Sequence, residues 1–441
     1  MRLDSTSAQT LIAIPATLAI GLVSPQVAAA VFFGALVWLA VRRKAFFHPA
    51  IFVGAGTTLF LLIGGLNVSY YRGIIQDEFF FYVLQAIMAF SAGAALVTLV
   101  TRAPDKRPLK ITPVSIELVI LSALPGVVGV LWVVLAVGIP LINPEARFLA
   151  PGRAMLLAET LNASFVLLAY YYLSRGVPKP TLLMVAFGGI VMFLLLVPGY
   201  RNWPLVACLI AMIGLTLSGG MQINVRKLAL FGGIAVFLLA IIMEFRRDNS
   251  SSLVDTATTM EIYRVEYIPA FLAQVHFGFR ESLGIGQWLL QTGSTYTGPP
   301  LFIADILTMF GSELTGGRII AERVGAALDG GLTAGLVGVL TLEFGATTCL
   351  LMFFCAGMFG SVLWNWFRRN MRPEIAFVYG YFLVNFLLLF HRGIPKPSNF
   401  IVPAYFYALV MMSGVIRSMI RPAAPPLRRR QFGGRQPLPR S

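Results

Sequence analysis

The sequence predicts an all-α polytopic membrane protein, with about 12 transmembrane helices and one large loop on the outer face. Three observations predict it. The 441-residue chain is 57% hydrophobic and only 12% charged, about half the charged share of an ordinary soluble domain. Apolar runs of roughly 18 residues or more follow one another, each long enough to cross a hydrocarbon core about 30 Å thick. The short loops between them are basic on one side and much less so on the other.

Taken in order, helices are expected at 8–23, 26–41, 49–66, 79–100, 112–137, 154–173, 180–197, 203–218, 228–243, 334–363, 375–390 and 400–416. The first two are short and joined by Ser24-Pro25, which suits a hairpin that need not cross the whole membrane. The run at 334–363 is overlong for one span and reads as tilted, or as broken near Gly345. The chain thus divides into a bundle over 1–243, a large loop over 244–333, a second part of the bundle over 334–420 and a basic tail over 421–441. Asp4 and a Ser/Thr-rich start precede the first apolar run, and no small-residue cleavage pattern follows it, so a cleaved signal is not expected.

With the N-terminus inside, one side collects Arg42-Arg43-Lys44, Arg102 with Lys106, Arg107 and Lys110, Arg175 with Lys179, Arg226-Lys227, and Arg368-Arg369 with Arg372. The tail RPAAPPLRRRQFGGRQPLPR falls there too. This is the positive-inside pattern, with an even helix count and both termini cytoplasmic. The net charge of +15 is therefore a topology signal and gives no reason to invoke nucleic acid. The Pro/Arg-rich tail reads as disordered and suited to anionic lipid. Cys208, Cys349 and Cys355 lie inside apolar runs, with neither disulfide nor metal spacing.

The large loop is net negative. Residues 249–260 are polar; YRVEYIPAFLAQVHFGFRESLG then places Tyr263, Tyr267, Phe271 and Val275 near helical spacing, as in a helix lying at the membrane surface. A turn at Gly298-Pro299-Pro300 and two Gly-Gly pairs follow. Its mixture of apolar and polar stretches should pack it back onto the membrane face.

No phosphate loop, dinucleotide fingerprint or hydrolase nucleophile turn is present, and His48, His276 and His391 are isolated in sequence. What stands out is arginine at the outer ends of apolar helices. Arg147 and Arg153 lie in GIPLINPEARFLAPGR (138–153), Arg201 lies in GYRNWPL (199–205), and Arg280 lies in the large loop. A guanidinium fork matches phosphate oxygens at two points and stays charged; a lipid-linked pyrophosphate presents its anion at this depth. The competing reading is an interfacial arginine that snorkels to lipid headgroups. Carboxylates inside a membrane are costly and mark candidates for function. Glu159 and Glu343 qualify, either as partners of outer arginines or as general base toward a sugar hydroxyl; Glu117 reads as structural. His276 stands four residues before Arg280, on one face if that segment is helical. His391 heads HRGIPKPSN, beside Arg392 and Lys396. Either histidine suits proton transfer at an outer face, or is a plain surface residue.

GIPL followed by an arginine on an outer loop resembles the bacterial oligosaccharide repeat-unit polymerases of the O-antigen and exopolysaccharide (Wzy) type. GYRNWPL resembles that family's Gly-x-Arg at a helix start, and GGLTAGLVGVLTLEFG (330–345) resembles its Gly-Gly, small residue and Glu before Phe-Gly. One dominant late loop, periplasmic in that family, completes the likeness. The resemblance implies an inner-membrane inverting glycosyltransferase that polymerises undecaprenyl-pyrophosphate-linked repeat units, without a nucleotide sugar, a cofactor or a metal. Arg147, Arg201 and Arg264 or Arg280 would hold pyrophosphate, with Arg318 a further candidate; Glu343 matches the Glu of the late motif. The related O-antigen ligases use an outer histidine as base, a part that would fall to His391 or His276. The expected partners are the lipid-linked glycans, membrane lipid and a chain-length-regulating co-polymerase. Two rivals remain at this point: a metal-requiring polyprenyl-phosphate glycosyltransferase using Asp77-Glu78 of YYRGIIQDEFFF, and a non-enzymatic lipid-linked oligosaccharide flippase.

Overall fold

A computed structural model describes residues 5–101, 109–143, 146–176, 180–200, 202–222, 261, 263–265, 270–291, 300–308, 315–324 and 332–420. Every regular element among them is a helix. The expected helix at 228–243, the polar stretch 249–260 and the tail 421–441 lie outside the described residues.

The N-terminal half begins with α1 (Ser5–Gly21), α2 (Pro25–Arg43), α3 (Pro49–Gly65) and α4 (Asp77–Val100). Local chemistry sets the boundaries. Ser24 caps α2, accepting from the Val27 amide, while Pro25 occupies the first turn where no amide partner is needed. The α1–α2 turn reaches Asp77 through Gln26 Nε2, which donates to Oδ1 at 2.5 Å. At the opposite end Arg43 donates to Gln9 at 3.4 Å. The chain continues through α5 (Ile116–Ser122), α6 (Leu124–Val137), the short α7 (Ala146–Leu149), α8 (Gly152–Glu159), α9 (Leu161–Arg175), α10 (Leu182–Leu196) and α11 (Asn202–Leu217).

In the second half come α12 (Ala270–Gln291), α13 (Leu301–Leu307), α14 (Gly316–Arg323), α15 (Gly335–Phe344), α16 (Ala346–Asn370), α17 (Pro373–Arg392) and α18 (Ser398–Ile420). The overlong run at 334–363 is broken at Gly345, whose φ of 81° and ψ of 163° suit glycine alone. Seven helical stretches among the described residues are long and apolar enough to cross a membrane: Pro25–Arg43, Asp77–Val100, Ile116–Val137, Gly152–Arg175, Ala346–Asn370, Pro373–Arg392 and Ser398–Val415. The helices at Pro49–Gly65, Leu182–Leu196, Asn202–Leu217 and Gly335–Phe344 are apolar but shorter. The chain is a multi-pass membrane protein; the expected twelve spans exceed the seven met here by length and composition.

The main core joins α2, α3, α4, α9, α16, α17 and α18 around Phe32, Phe80, Phe90, Phe353, Phe377 and Phe406. Helices α4 and α16 cross at backbone contact. A Cβ on Gly93 would strike the Phe354 carbonyl, and one on Gly357 would strike that of Phe90. Small residues permit this approach where lipid provides no hydrophobic drive between helices. Hydrogen bonds run along the same seam, from Ser361 Oγ to the Ala94 carbonyl (2.6 Å) and from Asn365 Nδ2 to Thr101 Oγ1 (2.8 Å).

Contacts sort the loops into two faces. One carries Arg42, Arg43, Lys44, Lys110, Arg175, Arg368, Arg369 and Arg372; there the Lys110 amide donates to the Met371 carbonyl (3.0 Å) and Tyr379 Oη to that of Phe47 (2.7 Å). The other gathers the loop after α3, the turns after α6, α10 and α17, and the described parts of 244–333.

Candidate functional site

Helix α12 docks its amphipathic face on α3 and α15, putting His276 and Arg280 on one buried stripe, four residues apart. Arg280 has no solvent exposure, and its whole fork is engaged. Nε donates to the Tyr71 carbonyl (3.2 Å); one terminal nitrogen reaches the carbonyls of Gly64 (3.1 Å), Gly65 (3.4 Å) and Leu66 (3.3 Å); the other reaches Asn67 Oδ1 (2.7 Å) and the Gly73 carbonyl (2.5 Å). These are the orphan carbonyls at the C-terminus of α3 and those of the loop after it, where a cation also suits the helix dipole. Burial pulls the guanidinium down to about 10, so it stays protonated at neutral pH.

His276 is held as firmly. Its Nδ1 faces the Ile63 carbonyl at 2.8 Å and therefore carries the proton, leaving Nε2 to accept from Ser69 Oγ at 2.8 Å. Burial pushes its pKa down, with the nearby Arg280 charge adding to the shift, so the ring is neutral. His391, on the last turn of α17, lies between the rings of Phe60 (5.3 Å) and Phe279 (6.0 Å), with Nδ1 on Ser282 Oγ at 2.9 Å. The Tyr70 amide donates to the Tyr263 carbonyl at 2.8 Å, and Arg264 stands 5.9 Å over the Tyr70 ring. Arg72 lies 3.9 Å from Glu281.

A second cluster forms where the GIPL turn, GYRNWPL, the α13–α14 region and the turn after α17 meet. The Leu141 amide donates to the Val197 carbonyl at 3.1 Å. Gly199, at φ 77°, lies so close to Pro140 that a Cβ would stand 3.0 Å from its carbonyl oxygen. The GIPL turn and GYRNWPL are thus one packed unit. Tyr200 stacks on Trp203 (5.0 Å between centroids, 11° between planes), and Lys396 Nζ stands 5.1 Å over Tyr200 from the other side. Lys396 belongs to Gly393-Ile394-Pro395-Lys396, a second Gly-Ile-Pro turn; Gly138 and Gly393 both close a helix at positive φ, 80° and 84°. Gly316 packs against Ile394, and its amide donates to Asp305 Oδ1 at 2.9 Å. Asp305 feels the charges of both Lys396 and Arg392. Thr308, whose hydroxyl donates to the Asp305 carbonyl (2.8 Å), lies beside Gly152.

The predicted residues distribute as follows. Arg153 is exposed at the start of α8, beside this second cluster, and Arg318 is exposed on the first turn of α14. Arg147 lies in α7 with its side chain outside the described residues, and Arg201 lies outside them altogether; both are sequence neighbours of the cluster. Glu343 accepts from the Leu301 amide, which fixes the start of α13 to the last turn of α15. Its Oε2 is buried with no partner among the described residues. Glu159 ends α8, facing inward within electrostatic reach of the buried Tyr381 hydroxyl. Arg280 and His276 stand apart, in the joint between α12 and the loop after α3. Sequence reasoning passed over Tyr200, Asp305, Arg392 and Lys396 as site residues. The signal for Lys396 was present, since GIPK repeats the GIPL turn.

A family model described as "Putative O-antigen polymerase" matches residues 45–394, most of the chain, including the GIPL and GYRNWPL segments, and ends two residues before Lys396. The chain belongs to the O-antigen polymerase family. Comparison with curated proteins and with solved structures gives no match. Membership supports a polymerase role in O-antigen biosynthesis.

Proposed function

We propose that the protein joins lipid-linked oligosaccharide repeat units by inverting glycosyl transfer at the periplasmic face of the inner membrane. The growing glycan leaves undecaprenyl pyrophosphate and moves to the non-reducing end of a newly made unit. The observation that carries this reading is Lys396 standing 5.1 Å over the Tyr200–Trp203 stack, with Arg392 ending the helix just before it, where the GIPL and GYRNWPL segments pack together in a member of the O-antigen polymerase family. Pyrophosphate leaves readily once fixed cations offset its developing charge, and a sugar ring suits an aromatic face with a polar edge. Arg147, Arg153 and Arg201 are read as completing a cationic rim from their sequence positions beside these segments, with Arg264 and Arg318 as further candidates. Holding two lipid-linked substrates side by side supplies the orientation. In this scheme guanidinium and ammonium groups do the work of a divalent cation, so activity persists in chelator. The face bearing Arg42, Arg43, Arg368 and Arg369 is cytoplasmic, as are both termini, and a separate co-polymerase sets chain length.

Arg147→Ala and Arg201→Ala should each abolish polymer while single repeat units still reach the surface glycan, read as collapse of the gel ladder to its lowest rung. A normal ladder in both variants would overturn the reading, and loss of all glycan export would favour a flippase.

A further inference from the structure

We propose that Asp305 is the general base of the transfer reaction, an assignment that rests on the polymerase reading above. Asp305 lies on α13, where the outer layer meets the second Gly-Ile-Pro turn. One carboxylate oxygen is fixed by the Gly316 amide at 2.9 Å, which orients the group and leaves the other oxygen to work. The charged groups that bear on it are Arg392, at the end of α17, and Lys396, in the turn after it, and these belong to the rim read as the pyrophosphate site. The base thus stands beside the leaving group's counter-charges and one turn from Thr308, which borders Gly152. That is the arrangement a single displacement needs, with acceptor, anomeric carbon and leaving group gathered at one rim.

Among the described residues, the bases expected from sequence are held by hydrogen bonds. His276 has both ring nitrogens in hydrogen bonds and no route to solvent. His391 has Nδ1 on Ser282 and its ring between two phenylalanines. Glu343 uses Oε1 to hold α13 in place, and its Oε2 is buried. Asp305 is half-buried, and burial lifts its carboxyl above the usual aspartate range, while the Gly316 amide, Lys396 and Arg392 limit the rise. A raised carboxyl is a stronger base, better matched to a sugar hydroxyl.

In the step itself the acceptor hydroxyl oxygen attacks the anomeric carbon of the donor glycan, and its proton passes to the outer oxygen of Asp305. The bond from that carbon to the phosphate oxygen breaks, and undecaprenyl pyrophosphate departs with the electron pair. The configuration inverts once. The proton then leaves Asp305 for water at the half-exposed rim.

The test uses the purified full-length protein and, as probe, lipid-linked repeat units extracted from cells deleted for its gene. Asp305→Asn keeps an oxygen for the Gly316 amide and removes only the basicity. We expect kcat to fall by about 100-fold or more, with KM within about threefold and an unchanged melting temperature. Asp305→Glu should retain at least about ten times the turnover of Asp305→Asn. Should Asp305→Asn fail to fold, Asp305→Glu and Asp305→Gln make the same comparison at equal size. Equal turnover of the carboxylate and amide forms, or a rise in KM at preserved kcat, overturns the assignment. Failure of the wild-type protein to polymerise the probe would instead remove the polymerase reading itself.

Discussion

At the scale of single residues, Arg280 shows how differently one arginine can be used from another. A guanidinium that, among the described residues, contacts no carboxylate, yet satisfies carbonyls at a helix end and along a loop, is an internal cap. Replacing it with Met would remove the guanidinium donor from five backbone carbonyls, of which Leu66 keeps the Val68 amide, while Asn67 Oδ1 keeps the Ile75 amide. Arg280→Met should therefore cost about 2–4 kcal/mol, seen as a lower melting temperature in detergent and reduced abundance in membranes. A stable Arg280→Met protein lacking only polymer formation would put this guanidinium on the substrate instead. Sequence showed that His276 and Arg280 share a face, but not what that face meets. Their partners, Ile63, Ser69 and the carbonyls of 64–73, lie over 200 residues away, and carbonyl acceptors leave no mark in a sequence. Asp305 and Lys396 were hidden for a related reason: each gains significance only when α13 and the turn after α17 meet.

Among the elements, the apolar runs and their breakers were readable because each rests on local chemistry. Ser24-Pro25 starts α2, Pro373 starts α17, and Gly345 separates α15 from α16. Less readable was the depth of approach between helices, which depends on which glycines face a neighbour. Gly357 faces α4 at backbone contact, whereas Gly34 of α2 has nothing within 4 Å of a Cβ position. Gly357→Val should destabilise the protein by about 1–3 kcal/mol through overpacking, while Gly34→Ala, inside α2 with room for a Cβ, should hold or slightly raise the melting temperature. Equal effects at the two sites would mean that α4 and α16 do not cross as closely as described.

For the whole molecule, the prediction concerns sidedness. The charge pattern and the loop contacts divide the chain alike, with Lys110 and Met371 on one face and Tyr70, Ile142 and Lys396 on the other. In a cysteine-free background, single cysteines at Tyr70 and Ile142 should react with a membrane-impermeant maleimide added to spheroplasts. Cysteines at Lys110 and Arg368 should react only after lysis. Labelling in the reverse order would invert the orientation and move the proposed site to the wrong compartment for its substrates.

The buried Arg280 also fixes an order of events during synthesis. The Gly64 carbonyl and its arginine donor are 216 residues apart. At about 5–20 residues per second, the end of α3 and the loop after it wait roughly 10–40 s for their cap to leave the ribosome. Through that interval the first four helices hold a set of uncapped carbonyls that water or the insertion machinery must cover. The outer loop can close only once α12 arrives, so a ribosome stalled between the two leaves the N-terminal helices in place but the first outer loop unlocked.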